Sequence, residues 1–112
     1  MSNYIKVYLA SPYTKGDTAQ NVAHQLRMAN ELMNQGLYPY VPLLTHFQHM
    51  YKPRNYEDWI RHDLVWLSQC DCLLRFGAES EGADMEVEYA LENNIPVCYS
   101  LEELYKKYKL IR

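Results

Sequence analysis

The feature that most constrains this chain is a regular exchange of two hydrophobic periods along its length. Residues 4–10 (YIKVYLA), 37–42 (LYPYVP), 70–76 (CDCLLRF) and 95–99 (IPVCY) are rich in β-branched and aromatic side chains, and each has the composition of a short strand. Between them the period lengthens. Val22, Leu26, Ala29, Leu32 and Met33 trace a helix that Gly36 stops, and Ile60, Leu64 and Leu67 trace a second over residues 56–69. Residues 83–94 and 101–109 read as two more helices, whereas residues 43–55, with His46, His49 and Pro53, show no period and read as irregular chain. Strands alternating with helices over short links pair in parallel and carry helices on both faces. The expected fold is α/β, a Rossmann-like (flavodoxin-like) open parallel sheet of four to five strands in one domain over residues 1–112. Such sheets bind ligands at the carboxyl ends of their strands. That rule brings the polar loop at residues 11–17, His46 and the loop at residues 77–82 to one edge.

Composition removes several classes of function. No apolar run nears the roughly 20 residues of a membrane span, and residues 1–6 hold no signal-peptide core, so a cytoplasmic protein is expected. The 11 basic residues are scattered until Lys106, Lys107, Lys109 and Arg112 and are outnumbered by 14 acids, which argues against general nucleic-acid binding. Cys70, Cys72 and Cys98 make an odd set and read as free thiols. Cys70 and Cys72 are too close for a zinc pair, and His46, His49, His62 and Asp63 supply no third ligand at motif spacing, so no metal is expected. The first loop also lacks the G-x-G-x-x-G spacing of dinucleotide sites, and no cofactor is expected.

Two acids stand apart from the solvent faces. In the third helix Asp84, Glu88 and Glu92 recur every four residues, but Glu86 falls in line with Ala83 and Ala90 on the side that packs against the sheet. A carboxylate there is either a partly desolvated active-site group or an acid paired with the helix dipole. Asp63 borders the apolar stripe of the second helix, as a functional acid or as a partner of Arg61. Ser80 either caps the third helix or, with Gly82, offers a binding site for an anion.

Three blocks carry a resemblance that reaches from Val7 to about Tyr99: VYLASPY at residues 7–13, HDLVWLSQCD at 62–71 and SEGADMEVEYA at 80–90. Together they resemble the nucleoside 2-deoxyribosyltransferase superfamily, in particular its 2′-deoxynucleoside 5′-phosphate N-hydrolases and short phage and bacterial homologues of unassigned activity. The third block is similar to the family pattern S/D-x-G-x-x-x-E-x-G-x-A, with Glu86 at the catalytic glutamate and Glu88 where Gly is common. The second places Asp63 at an active-site aspartate, and the first places Tyr8 at a tyrosine beside the glutamate. The first loop, Ser-Pro-Tyr-Thr-Lys-Gly-Asp, replaces the hydrolases' Gly-rich, Arg-containing loop.

The resemblance implies cleavage of the N-glycosidic bond of a (2′-deoxy)nucleoside 5′-monophosphate, to free base and sugar 5-phosphate. Glu86 would be the nucleophile, Asp63 would assist the leaving base and Tyr8 would orient Glu86. Ser11, Lys15, His46, Ser80 and Gly82 would bind substrate, in a homodimer or larger homo-oligomer. Base exchange by a transferase and noncatalytic nucleotide binding are the alternatives.

Overall fold

A computed structural model describes residues 4–108, so Lys109 and Arg112 of the basic tail lie outside the described residues. Strands β1 (Lys6–Ala10), β2 (Tyr38–Tyr40), β3 (Cys72–Arg75) and β4 (Val97–Cys98) form one sheet in the order β2-β1-β3-β4, every pair parallel. The α/β open sheet expected from the sequence is therefore present, with four strands among the described residues. Pro39 sits in β2, an edge strand, where the missing N–H is tolerated.

Helices α1 (Thr18–Asn34), α2 (Thr45–Tyr51), α3 (Tyr56–Leu67), α4 (Glu81–Glu92) and α5 (Leu101–Lys107) complete the fold. Alternation along β1 divides the core. Val7 and Leu9 face one side, where Ala29 and Leu32 of α1 and Leu104 of α5 pack with Cys72, Leu74 and Cys98. Tyr8 and Ala10 face the other side, with Leu67 of α3, Leu73, and Ala83 and Ala90 of α4. Leu9, Leu32, Leu67, Leu73, Leu74 and Leu104 are almost wholly enclosed, each contributing about 1.5–3 kcal/mol of transfer free energy.

Residues 43–55 depart from the expectation of irregular chain. A 3-10 turn, Pro42–Leu44, runs into α2, stapled by the Thr45 hydroxyl donating to the Pro42 carbonyl at 2.8 Å. No residue of α2 is fully buried, and Phe47, Met50 and Tyr51 are exposed, so the helix has no apolar stripe to announce it. The start of α4 also comes two residues early, at Glu81, because Ser80 caps it by accepting the Ala83 N–H at 3.1 Å.

The chain leaves β1 for α1 on one face and β3 for α4 on the other, so the crevice between the ends of β1 and β3 is the topological switch point. Among the described residues no helix is long and apolar enough to cross a membrane.

Candidate active site

The switch point holds a cavity of about 120 Å³, lined by Ser11 after β1, Ser80, Gly82 and Glu86 at the start of α4, and Ile60 and Asp63 on α3. It adjoins a wider basin of about 980 Å³ that includes Lys15, Arg54 and Glu79. Tyr13, His49, Tyr56, Trp59, Ser80 and Gly82 line both spaces.

Two periodicities meet at the cavity floor. Tyr8 lies on the α4 side of β1 and is 0% exposed; Glu86 falls on the buried stripe of α4 with Ala83 and Ala90 and is 8% exposed. The Tyr8 hydroxyl donates to Glu86 Oε2 at 2.5 Å. Burial pushes the Glu86 carboxyl up to about 8; the Tyr8 hydrogen bond and the Arg75 charge oppose this, while nearby Asp63 adds to it. Tyr8 itself is held well above the ordinary phenol range by burial and by the Glu86 charge. Tyr8 stacks on Tyr40 at 5.7 Å and Tyr40 on Trp66 at 5.4 Å, so a row of aromatic rings backs the pair.

Asp63 contributes a second carboxyl. Its Oδ1 is buried without a hydrogen-bond partner, and burial raises the group to about 7. The Arg61 guanidinium does not reach it and instead approaches Asp58 at 3.5 Å. Two carboxyls in one cavity, one held by a phenol and one unpartnered, can supply a nucleophile and a proton donor.

The loops around the pair are tied together by two devices. Gln25 of α1, fully buried, donates to Ser11 Oγ at 2.9 Å and accepts the Leu43 N–H at 3.0 Å, joining the end of β1 to the turn after β2. Gly77 has φ +85°, and a Cβ there would lie 2.9 Å from Pro12 Cδ, so only glycine lets the loop after β3 approach the first loop this closely. Arg75 clasps the same loop by donating to the carbonyls of Phe76 and Ala78.

The structure thus brings together Glu86, Asp63, Tyr8, Ser11, Ser80 and Gly82. Lys15 lies on the rim of the outer basin, exposed, with its Nζ 3.6 Å from a Glu79 carboxylate oxygen. His46 lines neither space; its Nδ1 shares a 2.7 Å hydrogen bond with the Tyr13 hydroxyl, so it supports the wall from behind. His49, Trp59, Tyr56, Tyr13 and Gln25 also line the cavity and were not among the expected site residues, His49 having been weighed only as a metal ligand. Tyr56, Trp59, Ile60 and Asp63 recur at helical spacing, a signal for one cavity-facing stripe; His49 had none, since α2 carries no apolar period. Among the described residues no three His, Cys, Asp or Glu side chains converge as metal ligands.

Comparison with curated proteins finds no match to this sequence. The family described as Domain of unknown function (DUF7768) matches residues 5–100, a span that holds all four strands and every residue of the cavity, and the chain belongs to that family.

Proposed function

We propose that this protein cleaves the N-glycosidic bond of a 2′-deoxynucleoside 5′-monophosphate, releasing free base and sugar 5-phosphate. The observation that carries this reading is the buried Glu86, held by the Tyr8 hydroxyl at 2.5 Å, in one cavity with the unpartnered Asp63. Glycosidic cleavage passes through an oxocarbenium-like state, which a carboxylate near C1′ stabilises or captures. In the first step a Glu86 oxygen bonds to C1′, the C1′–N pair leaves with the base, and Asp63 delivers its proton to that base. In the second step a water oxygen bonds to C1′, its proton returns to Asp63, and the Glu86–C1′ bond breaks.

This sequence needs Glu86 ionised and Asp63 protonated. Burial raises both carboxyls, Glu86 to about 8 and Asp63 to about 7, which keeps protons on the pair near neutral pH. The Tyr8 hydrogen bond and the positive charge that develops at C1′ pull in the opposite direction, toward the productive arrangement. The pair should therefore give a narrow bell-shaped dependence of kcat/KM on pH, whose two limbs belong to the coupled carboxyls rather than to either one.

In this reading the 5′-phosphate binds at the start of α4. Ser80 Oγ already accepts the Ala83 N–H, so its own proton is left to donate to a phosphate oxygen beside Gly82. Lys15 can reach the same rim by leaving Glu79. The partner in this reading is a small molecule, and the cytoplasm suits a chain whose three cysteines are all free.

The test is chromatographic product analysis over ribo- and deoxyribonucleosides and their 5′-monophosphates, with and without an added acceptor base. Base and sugar 5-phosphate from a monophosphate support the hydrolase, and exchange onto the added base would mark a transferase. Binding without products would sink the enzymatic reading.

A further inference from the structure

We infer that His49 reads the departing base by donating its Nε2–H to a carbonyl oxygen, so that the site takes oxo bases over their amino counterparts. This rests on the glycosidase reading above. The argument begins with the groups that hold the ring. Trp59 Nε1–H donates to His49 Nδ1 at 2.8 Å, and the Arg54 backbone N–H donates to the same nitrogen at 3.3 Å. An indole N–H and a peptide N–H can only donate, so neither contact can be reversed. His49 Nδ1 is therefore the acceptor and the ring proton sits on Nε2, a position assigned by this network.

No acceptor for Nε2 occurs among the described residues, and the half-buried ring lines both the cavity and the basin. It comes from α2 and shares the cavity lining with Trp59 and Asp63 of α3 and with Glu86 of α4. With C1′ beside Glu86 and the 5′ end near Ser80, the base in this inference lies against the α2 and α3 part of the lining, Thr45, His49, Trp59 and Ile60. There it meets a donor with no partner. Ser11 adds to this bias: its Oγ receives the Gln25 N–H at 2.9 Å, leaving its own proton free. A base with a carbonyl opposite His49 satisfies the donor. An exocyclic amine there sets N–H against N–H and leaves both unpaired on desolvation, which weakens binding roughly ten- to a hundredfold.

The experiment uses histidine-labelled protein and free bases, so it needs no turnover. Long-range 1H–15N spectra of the free protein should show His49 as the Nε2–H tautomer; an Nδ1–H tautomer overturns the inference. Titration with uracil against cytosine and hypoxanthine against adenine should move the His49 Nε2 resonance more strongly, and at lower concentration, for the oxo member of each pair. His49→Ala should flatten the preference to within about twofold, and His49→Gln, whose amide can still donate, should retain part of it. An unchanged preference in a folded His49→Ala protein overturns the inference. Nucleotide cleavage by the wild type with no oxo preference would defeat this proposal and leave the glycosidase reading standing; clear base binding without cleavage of any nucleotide would do the reverse.

Discussion

Replacing Glu86 by Gln should make the protein more stable as the pH rises while removing its chemistry. The Glu86 carboxyl is moved from an ordinary 4.5 to about 8 in the folded chain, with burial as the main cause. For an acid whose folded value is raised, the stabilising contribution is complete below the unfolded value and is lost as the pH climbs through the folded one. Between pH 4.5 and 8 the unfolded chain has given up its proton while the folded chain keeps it, and stability falls by up to about 1.4 kcal/mol for each pH unit. Carried to pH 8.5, the full loss approaches roughly 5 kcal/mol, and water entry and local relaxation reduce it to about 2–4 kcal/mol. Gln is neutral throughout and can accept the Tyr8 hydroxyl through Oε1, so Glu86→Gln escapes this loss. Thermal unfolding followed by calorimetry from pH 5 to 9 should show the two proteins close together at pH 5. At pH 8.5 the variant should melt higher by roughly 8–16 °C, at about 4 °C per kcal/mol. A difference that does not depend on pH, or a variant less stable at pH 8.5, would refute the argument that Glu86 is a buried carboxyl charged at a cost to the fold.

The same geometry sets four further expectations. Tyr8→Phe removes a hydrogen bond to a charged acceptor worth about 1.5–3 kcal/mol, so the pH at which Glu86 becomes active should rise by about 1–2 units and turnover at pH 7 should fall roughly ten- to a hundredfold; an unshifted pH profile counts against the role given to Tyr8. Asp63→Asn should leave substrate binding intact in equilibrium titration yet slow cleavage most for bases that leave poorly, and equal rates for all bases would make Asp63 purely structural. Ser80→Ala should lower kcat/KM for the 5′-monophosphate by about tenfold and leave the free nucleoside little changed, with equal effects on both pointing to the helix cap alone. Phe47, Met50, Tyr51, Val65 and Trp66 on α2 and α3 are exposed, so light scattering should find a homodimer or larger, and a monomer at assay concentration would contradict this.

Much of the fold was legible because each element near the core carries its own period. Glu86 could be separated from Asp84 and Glu88 because a helix that buries Ala83 and Ala90 must also bury the residue between them on that stripe. Tyr8 could be placed in a strand but not against a partner, since nothing in a local pattern tells which face of the sheet will receive α4; the resemblance supplied that pairing. The sequence was silent on α2 because the contacts that hold it are hydrogen bonds, from the Thr45 hydroxyl to Pro42 and between its histidines and Tyr13 and Trp59, and it carries no apolar stripe. His49 and His46 illustrate the cost. They lie three residues apart in an apparently structureless segment, and only the helix and its packing decide that His49 faces the cavity while His46 pairs with Tyr13 behind it.

The division of the sheet into two faces explains why a desolvated pair of carboxyls can persist in so small a chain. The face toward α1 and α5 is an apolar core, closed by Val7, Leu9, Leu32, Leu74 and Leu104. The opposite face surrenders part of its core to Tyr8 and Glu86, where apolar residues of similar size would stabilise the fold more. Tyr8 cannot drift away from this role. Its register is fixed on both sides, opposite Tyr40 of β2 and Leu73 of β3, and a slip of one residue would send the whole of Val7, Leu9 and their partners to the wrong face. The hydroxyl therefore reaches the glutamate at a distance set by two strand pairings and a helix, before any ligand arrives. A donor fixed in this way keeps the carboxyl oriented toward the cavity with no reorganisation when a ligand enters.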